Sequence, residues 1–177
     1  AIEYAKNSAV KQGLHIKYLF QDYLEMSLQE TFDFITMIYC DYGALSTDDR
    51  KKLLRIIYQH LKPGGKLLLD VFSKETFDSF REGQTWESCP SGGFWREHGY
   101  IALSGHYKYQ DLITLEQTTI ISDAEIATYY IWNTCFTQNS LVEEVKKSGF
   151  NVSGIFENVA GEKSHHNSPT IAILLEK

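Results

Sequence analysis

Two predominantly apolar runs flank one amphipathic segment, FDFITMIY at residues 32–39 and KLLLDVF at residues 66–72. Runs without polar alternation are strands buried on both faces, the kind found inside a sheet covered by helices. Between them Leu53, Leu54, Ile57, Tyr58 and Leu61 recur at helical spacing, and Ser46 stands three residues before Asp49 as an N-cap, with Thr47 as a competing cap. Lys62-Pro63-Gly64-Gly65 ends that helix, because proline cannot extend the hydrogen-bond ladder and glycine turns the chain without steric cost. Strand, helix and strand in this order predict a parallel pair joined by a crossover, and so an α/β sheet.

The flanking segments extend the pattern. Ile2, Ala5, Ala9 and Val10 keep helical spacing up to Gly13, and HIKYLF, residues 15–20, reads as a strand ending at Gln21-Asp22-Tyr23. After Val71 the alternation of strand and helix gives way to β-type runs. In residues 100–109, Ile101, Leu103, Tyr107 and Tyr109 fall on one face and Ser104, His106 and Lys108 on the other, as in a half-exposed antiparallel strand. ITLEQTTII and EIATYYIWNTCF continue as strands around Ser122-Asp123. Ser140, three residues before Glu143, predicts the cap of a last helix with Leu141, Val142 and Val145 inward, and NVSGIFENV and TIAILLEK supply two closing strands. The 177 residues suffice for one domain.

Composition narrows the function classes. A net charge of −6 and a pI near 5.5 argue against nucleic acid as a partner, since phosphate neutralisation needs clustered Lys and Arg. Cys40, Cys89 and Cys135 are few, odd in number and widely spaced, which predicts neither a disulfide framework nor a zinc site and suits a reducing cytoplasm. The absence of a membrane-length apolar run predicts no membrane partner. His165-His166 sits in a Gly- and Ser-containing loop without a third ligand at metal spacing, so no metal is expected there.

The order FDFITMIYCDYGALS, then LKPGGKLLLDVF, then a β-rich insertion, a helix and two strands resembles class I S-adenosylmethionine-dependent methyltransferases from their third strand to their end. The resemblance covers nearly the whole chain. It implies a Rossmann-like sheet, mainly parallel with an antiparallel closing strand, an antiparallel insertion over residues 73–138 as a substrate cover, and the first two strands absent from this chain. It implies S-adenosylmethionine as cofactor and methyl transfer to a small molecule in the intact domain. The family's Gly-rich turn and its ribose-binding acid have no counterpart here. Its adenine grip does: Asp22 matches the carboxylate that accepts from the exocyclic amine, and the Tyr23 amide faces the ring. As a plain turn acid, Asp22 needs no ligand at all.

Tyr39, Cys40, Asp41 and Tyr42 end the central strand, where open α/β sheets bind ligands. Tyr39 and Cys40 are expected at the cofactor and Tyr42 at the acceptor. Asp41 is the candidate general base, needed only if the acceptor atom is protonated, and equally reads as a turn residue before the helix. His106, Tyr130 and Trp132 are expected among the rings lining the acceptor pocket, although packing explains most rings of such an insertion. A non-catalytic module that keeps the cover but not the donor site remains a second reading. A nicotinamide-linked oxidoreductase is weaker, because no GxGxxG is present. The family's strand order 3-2-1-4-5-7-6 would leave two edges open, so HIKYLF is expected either to pair through a second copy or a separate N-terminal segment, or to move directly beside FDFITMIY. The isolated chain is then expected to bind cofactor poorly.

Overall fold

A computed structural model describes residues 2–163 and 168–177. The His165-His166 expectation lies outside the described residues.

The elements that build the first sheet are β1 (Phe32–Met37), β2 (Leu61–Phe72), β7 (Asn151–Phe156) and β8 (Thr170–Glu176), in the spatial order β1-β2-β8-β7. Between β1 and β2 runs α2 (Thr47–His60), capped by Ser46, whose hydroxyl accepts the Asp49 amide at 3.1 Å. The β1–β2 ladder is parallel, as the strand-helix-strand order requires, and residues 62–65 bulge out of it between Leu61 and Lys66. β8 is antiparallel to both β2 and β7. The sheet is therefore mixed, and the expectation of a mainly parallel sheet is corrected. Three strands point one way, but the reversed strand sits between two of them and turns two of the three ladders antiparallel.

The core lies where α2 and α4 (Gln138–Lys147) cover one face of this sheet. Leu53, Leu54 and Ile57 from α2 and Leu141 and Val145 from α4 pack with Leu67, Leu69 and Val71 of β2 and Ile171, Ile173 and Leu175 of β8. Each such buried aliphatic side chain contributes about 1.5–3 kcal/mol over leaving it exposed. The α4 cap is Thr137 rather than Ser140: the Thr137 hydroxyl accepts the Ser140 amide at 3.1 Å, and the Ser140 hydroxyl accepts the Thr137 amide at 3.0 Å. Ser140 thus fills the third helical position of the box, and the helix starts one turn earlier than its sequence suggests.

The chain opens with α1 (Ile2–Lys11), and Gly13 takes the left-handed turn after it at φ +66°. HIKYLF does not form a strand, and it does not move beside β1. Residues 14–20 carry no ladder, and Ile16, Leu19 and Phe20 are exposed. β-type residues specify a strand only where a partner backbone accepts them, and the outer edge of β1 has no ladder partner among the described residues.

A short helix, α3 (Lys74–Ser79), leads into the second sheet, an antiparallel meander of β3 (Gly83–Cys89), β4 (Tyr100–Tyr109), β5 (Ile113–Ser122) and β6 (Ile126–Thr134). Its burial inverts the expectation from pattern. Tyr100, Ala102 and Ile120 form its small core with Trp95 and Cys89, while Ile101 and Leu103 on the other face are 40% and 43% exposed. The ladder registers place Trp86, Leu103, Tyr107, Tyr109, Tyr130 and Trp132 on that open face, which holds no charged side chain along the four strands. No helix among the described residues is long and apolar enough to cross a membrane.

Candidate functional site

The chain leaves β1 through two consecutive left-handed residues, Tyr39 at φ +82° and Cys40 at φ +60°, and enters a 3₁₀ turn over Asp41–Ala44. Neither is glycine, and such a conformation costs of order 1–3 kcal/mol per residue. It is held from below and from the side. The Asp70 carboxylate on β2 accepts the Cys40 amide at 3.0 Å. Gly43 lies so close to the end of β6 that an added Cβ would stand 2.7 Å from the Thr134 carbonyl oxygen. Gly43→Ala is therefore expected to force the turn and the insertion apart, at a cost of about 1–3 kcal/mol, read as a lower denaturation midpoint at unchanged slope.

Tyr42 does not reach an acceptor: it is 0% exposed. Its hydroxyl donates to Glu144 at 2.6 Å, and burial followed by that carboxylate pushes its pKa well above the usual range. Arg50 completes the cluster at 4% exposure, donating from Nε and Nη2 to the two Glu144 oxygens at 2.7 and 3.1 Å and from Nη1 to the Leu45 carbonyl at 2.8 Å. The same Nη1 reaches the Thr134 hydroxyl at 3.2 Å, so one guanidinium ties the turn after β1, α2, α4 and the insertion together. The Tyr42 expectation is corrected: its ring packs against Phe136 in the core.

Cys40 is likewise turned inward. Its amide is taken by Asp70, its carbonyl accepts the Gly43 amide at 3.1 Å, and burial, then the Asp70 charge, pushes its thiol up to about 12. At 6% exposure its side chain is packed within the turn. Tyr39 stands out in solvent at 91% exposure.

The structure does bring two of the expected residues to one groove. Tyr23 and Asp41 both line a cleft of about 410 Å³, together with the apolar side chains of Met26, Ile35, Met37, Ile38, Leu53 and Ile57. Asp22 is not among the residues lining this cleft; it caps the adjoining 3₁₀ turn Tyr23–Glu25, its Oδ1 accepting the Leu24 amide at 2.8 Å. Partial burial, then the charges of Asp41, Asp22 and Asp49 in that order, raise the Tyr23 pKa. Apolar walls with a carboxylate edge suit a flat, amino-bearing ring.

The insertion residues divide. Tyr130 and Trp132 share the open face, with Trp132 tilted against Tyr109 at a centroid separation of 5.4 Å. His106 lies on the opposite face, its ring edge-on to Phe80 at 5.8 Å and its Nε2 3.8 Å from Glu116. The three residues do not form one wall. No group of three or more His, Cys, Asp or Glu side chains suited to a metal occurs among the described residues.

Sequence reasoning missed Asp70, Arg50 and Glu144. A lone carboxylate within KLLLDVF marks Asp70, and Arg50 falls on the apolar stripe of α2 with Leu53, Leu54 and Ile57. Nothing local marks Glu144 as its partner.

Residues 1–65 match the family described as "Methyltransferase domain". No curated relative matches the chain. A solved S-adenosylmethionine-dependent methyltransferase from Clostridium acetobutylicum is 16% identical with a TM-score of 0.74, over 99% of this chain and 70% of its own. The CcbJ methyltransferase from Streptomyces caelestis is 11% identical with a TM-score of 0.63, over 89% of this chain and 62% of its own. S-adenosylmethionine-bound CalS10, an amino pentose methyltransferase from Micromonospora echinaspora, is 18% identical with a TM-score of 0.50, over 88% and 62%. At these identities the likeness is one of fold, and the chain spans less than two thirds of the latter two proteins. Over residues 1–65 the chain matches the methyltransferase-domain family, and along nearly its whole length it shares the fold of solved S-adenosylmethionine-dependent methyltransferases.

Proposed function

We propose that these residues hold the adenine end of S-adenosylmethionine and present a small-molecule acceptor to it for methyl transfer. The observation that carries the reading is the groove beside the carboxyl half of β1, lined by Tyr23, Asp41 and apolar side chains. Asp22 accepts from the exocyclic amine of adenine, the Tyr23 amide faces the ring, and Ile35, Met37 and Ile38 provide apolar contact. When bound, the cofactor supplies an electrophilic methyl group on a sulfonium. Asp41 takes the proton of an acceptor whose nucleophilic atom carries one, and exposed Tyr39 borders the acceptor.

Residues 73–138 act as the cover. Tyr130 and Trp132 meet the acceptor on the charge-free face, and an acceptor with an uncharged, ring-like surface suits them. His106, on the other face, belongs to the packing of α3 against the insertion and has no part in this reading.

Asp22→Ala in the full-length protein is expected to weaken S-adenosylhomocysteine, followed by calorimetric titration, about tenfold to a hundredfold, the loss of one hydrogen bond to a charged group. An unchanged dissociation constant removes Asp22 from the site. A wild-type protein that binds neither this ligand nor S-adenosylmethionine favours the non-catalytic module.

A further inference from the structure

We infer that Asp70 is a positioning residue of the transfer site, acting through the Tyr39–Cys40 turn; the inference rests on the proposed function above. β1 pairs with β2 up to Met37 opposite Leu69, and Asp70 is the next residue along β2. Beyond that last pair the chain of β1 departs from the ladder, and its next contact with β2 is the Cys40 amide on the Asp70 side chain at 3.0 Å. A carboxylate thus accepts what a strand carbonyl accepts elsewhere in the ladder. It does so at two successive non-glycine residues with positive φ, a conformation that persists only where surrounding contacts over-determine it.

The placement explains a carboxylate in an otherwise apolar strand. Leu67, Leu69 and Val71 point into the core under α2 and α4, while Asp70 points to the opposite, half-buried face. Asp70 lies within the ladder to β8, opposite Ala172, so the carboxylate stands on a strand held in register on that side. Tyr39 and Asp41 flank Cys40 on either side. Fixing the Cys40 amide therefore fixes where Tyr39 projects and where Asp41 joins the groove that Tyr23 also lines. Asp70 touches neither ligand in this arrangement.

The test compares Asp70→Ala with Asp70→Asn in the full-length protein. Asparagine keeps an Oδ1 acceptor and loses only the charge; alanine removes the acceptor. Two readouts are taken: exchange of the Cys40 and Asp41 amides by NMR, and the dissociation constant of S-adenosylhomocysteine. Alanine is expected to speed exchange at Cys40 and Asp41 and to weaken the ligand, each about tenfold or more. Amides of Leu67 and Ile173 are expected to keep their wild-type rates, and asparagine to stay within about threefold of wild type on both readouts, as the smaller loss of charge assistance implies. Ligand affinity unchanged in Asp70→Ala overturns the inference while leaving the proposed function standing. Accelerated exchange throughout β2 and β8 in the alanine variant also overturns it, since Asp70 then supports the sheet as a whole. A wild-type protein that does not bind the ligand retires the proposed function and this inference together.

Discussion

Arg50→Ala is expected to lower the unfolding free energy by about 3–5 kcal/mol, the cost of leaving a buried ion-pair partner uncompensated. Glu144 would keep the Tyr42 hydroxyl but lose both guanidinium contacts. The Leu45 carbonyl and the Thr134 hydroxyl would lose their donor. The guanidinium also lies over the rings of Tyr42 and Phe136, 5.7 and 5.2 Å from their centroids, so part of the loss is packing. Urea denaturation of Arg50→Ala, Glu144→Ala and the double variant measures the coupling. A double variant no less stable than either single one is the signature of a shared interaction. Strictly additive losses would show that the two side chains act separately.

Ile173→Ala is expected to cost about 2–5 kcal/mol, through lost transfer energy and the cavity left behind. Ile173 is fully buried on β8, opposite Leu69 on β2 and Ile155 on β7, so its neighbours are held by ladders on both sides and collapse poorly into the gap. Ile101→Ala on the open face of the insertion serves as the comparison. With 40% of Ile101 exposed, its loss is expected to be roughly 1 kcal/mol or less. Chemical denaturation monitored by tryptophan fluorescence and by far-ultraviolet circular dichroism reads both, and equal losses would contradict the burial described for the two sheets.

Much of the fold was legible because its signals are local. The periodicity of α2, the apolar run of β2 and the strand at residues 100–109 all depend on neighbouring side chains; β1, expected to be central and buried on both faces, is an edge strand with Phe34 51% exposed. HIKYLF has strand-type residues and still forms no strand, because a ladder depends on a second backbone that the segment itself does not encode. The open face of the insertion misleads for a related reason. Alternation shows that Ile101 and Leu103 share a face, but Trp95, arriving from a loop, decides that Tyr100 and Ala102 face the core. At the site, the place of Asp41 in the turn after β1 was readable, whereas the strand expected to end at Asp22–Tyr23 does not form and only a short turn stands there. The burial of Tyr42 was not readable, since it is set by Arg50 and by Glu144, which joins it from α4 far along the chain.

The position of β8 also sets an order of events during synthesis. The insertion is a meander whose strands pair with their chain neighbours, so it can form as soon as residues 83–134 have left the ribosome. The first sheet cannot. Its third position in space is filled by residues 170–176, and the ladder from Leu69 to Ile173 closes a loop of roughly a hundred residues. Until that segment emerges, β2 has one free edge and β7 has no partner. A nascent chain halted before residue 170 should therefore carry a formed insertion beside an unfinished sheet, with the unpaired backbone edge of β2 open to chaperones.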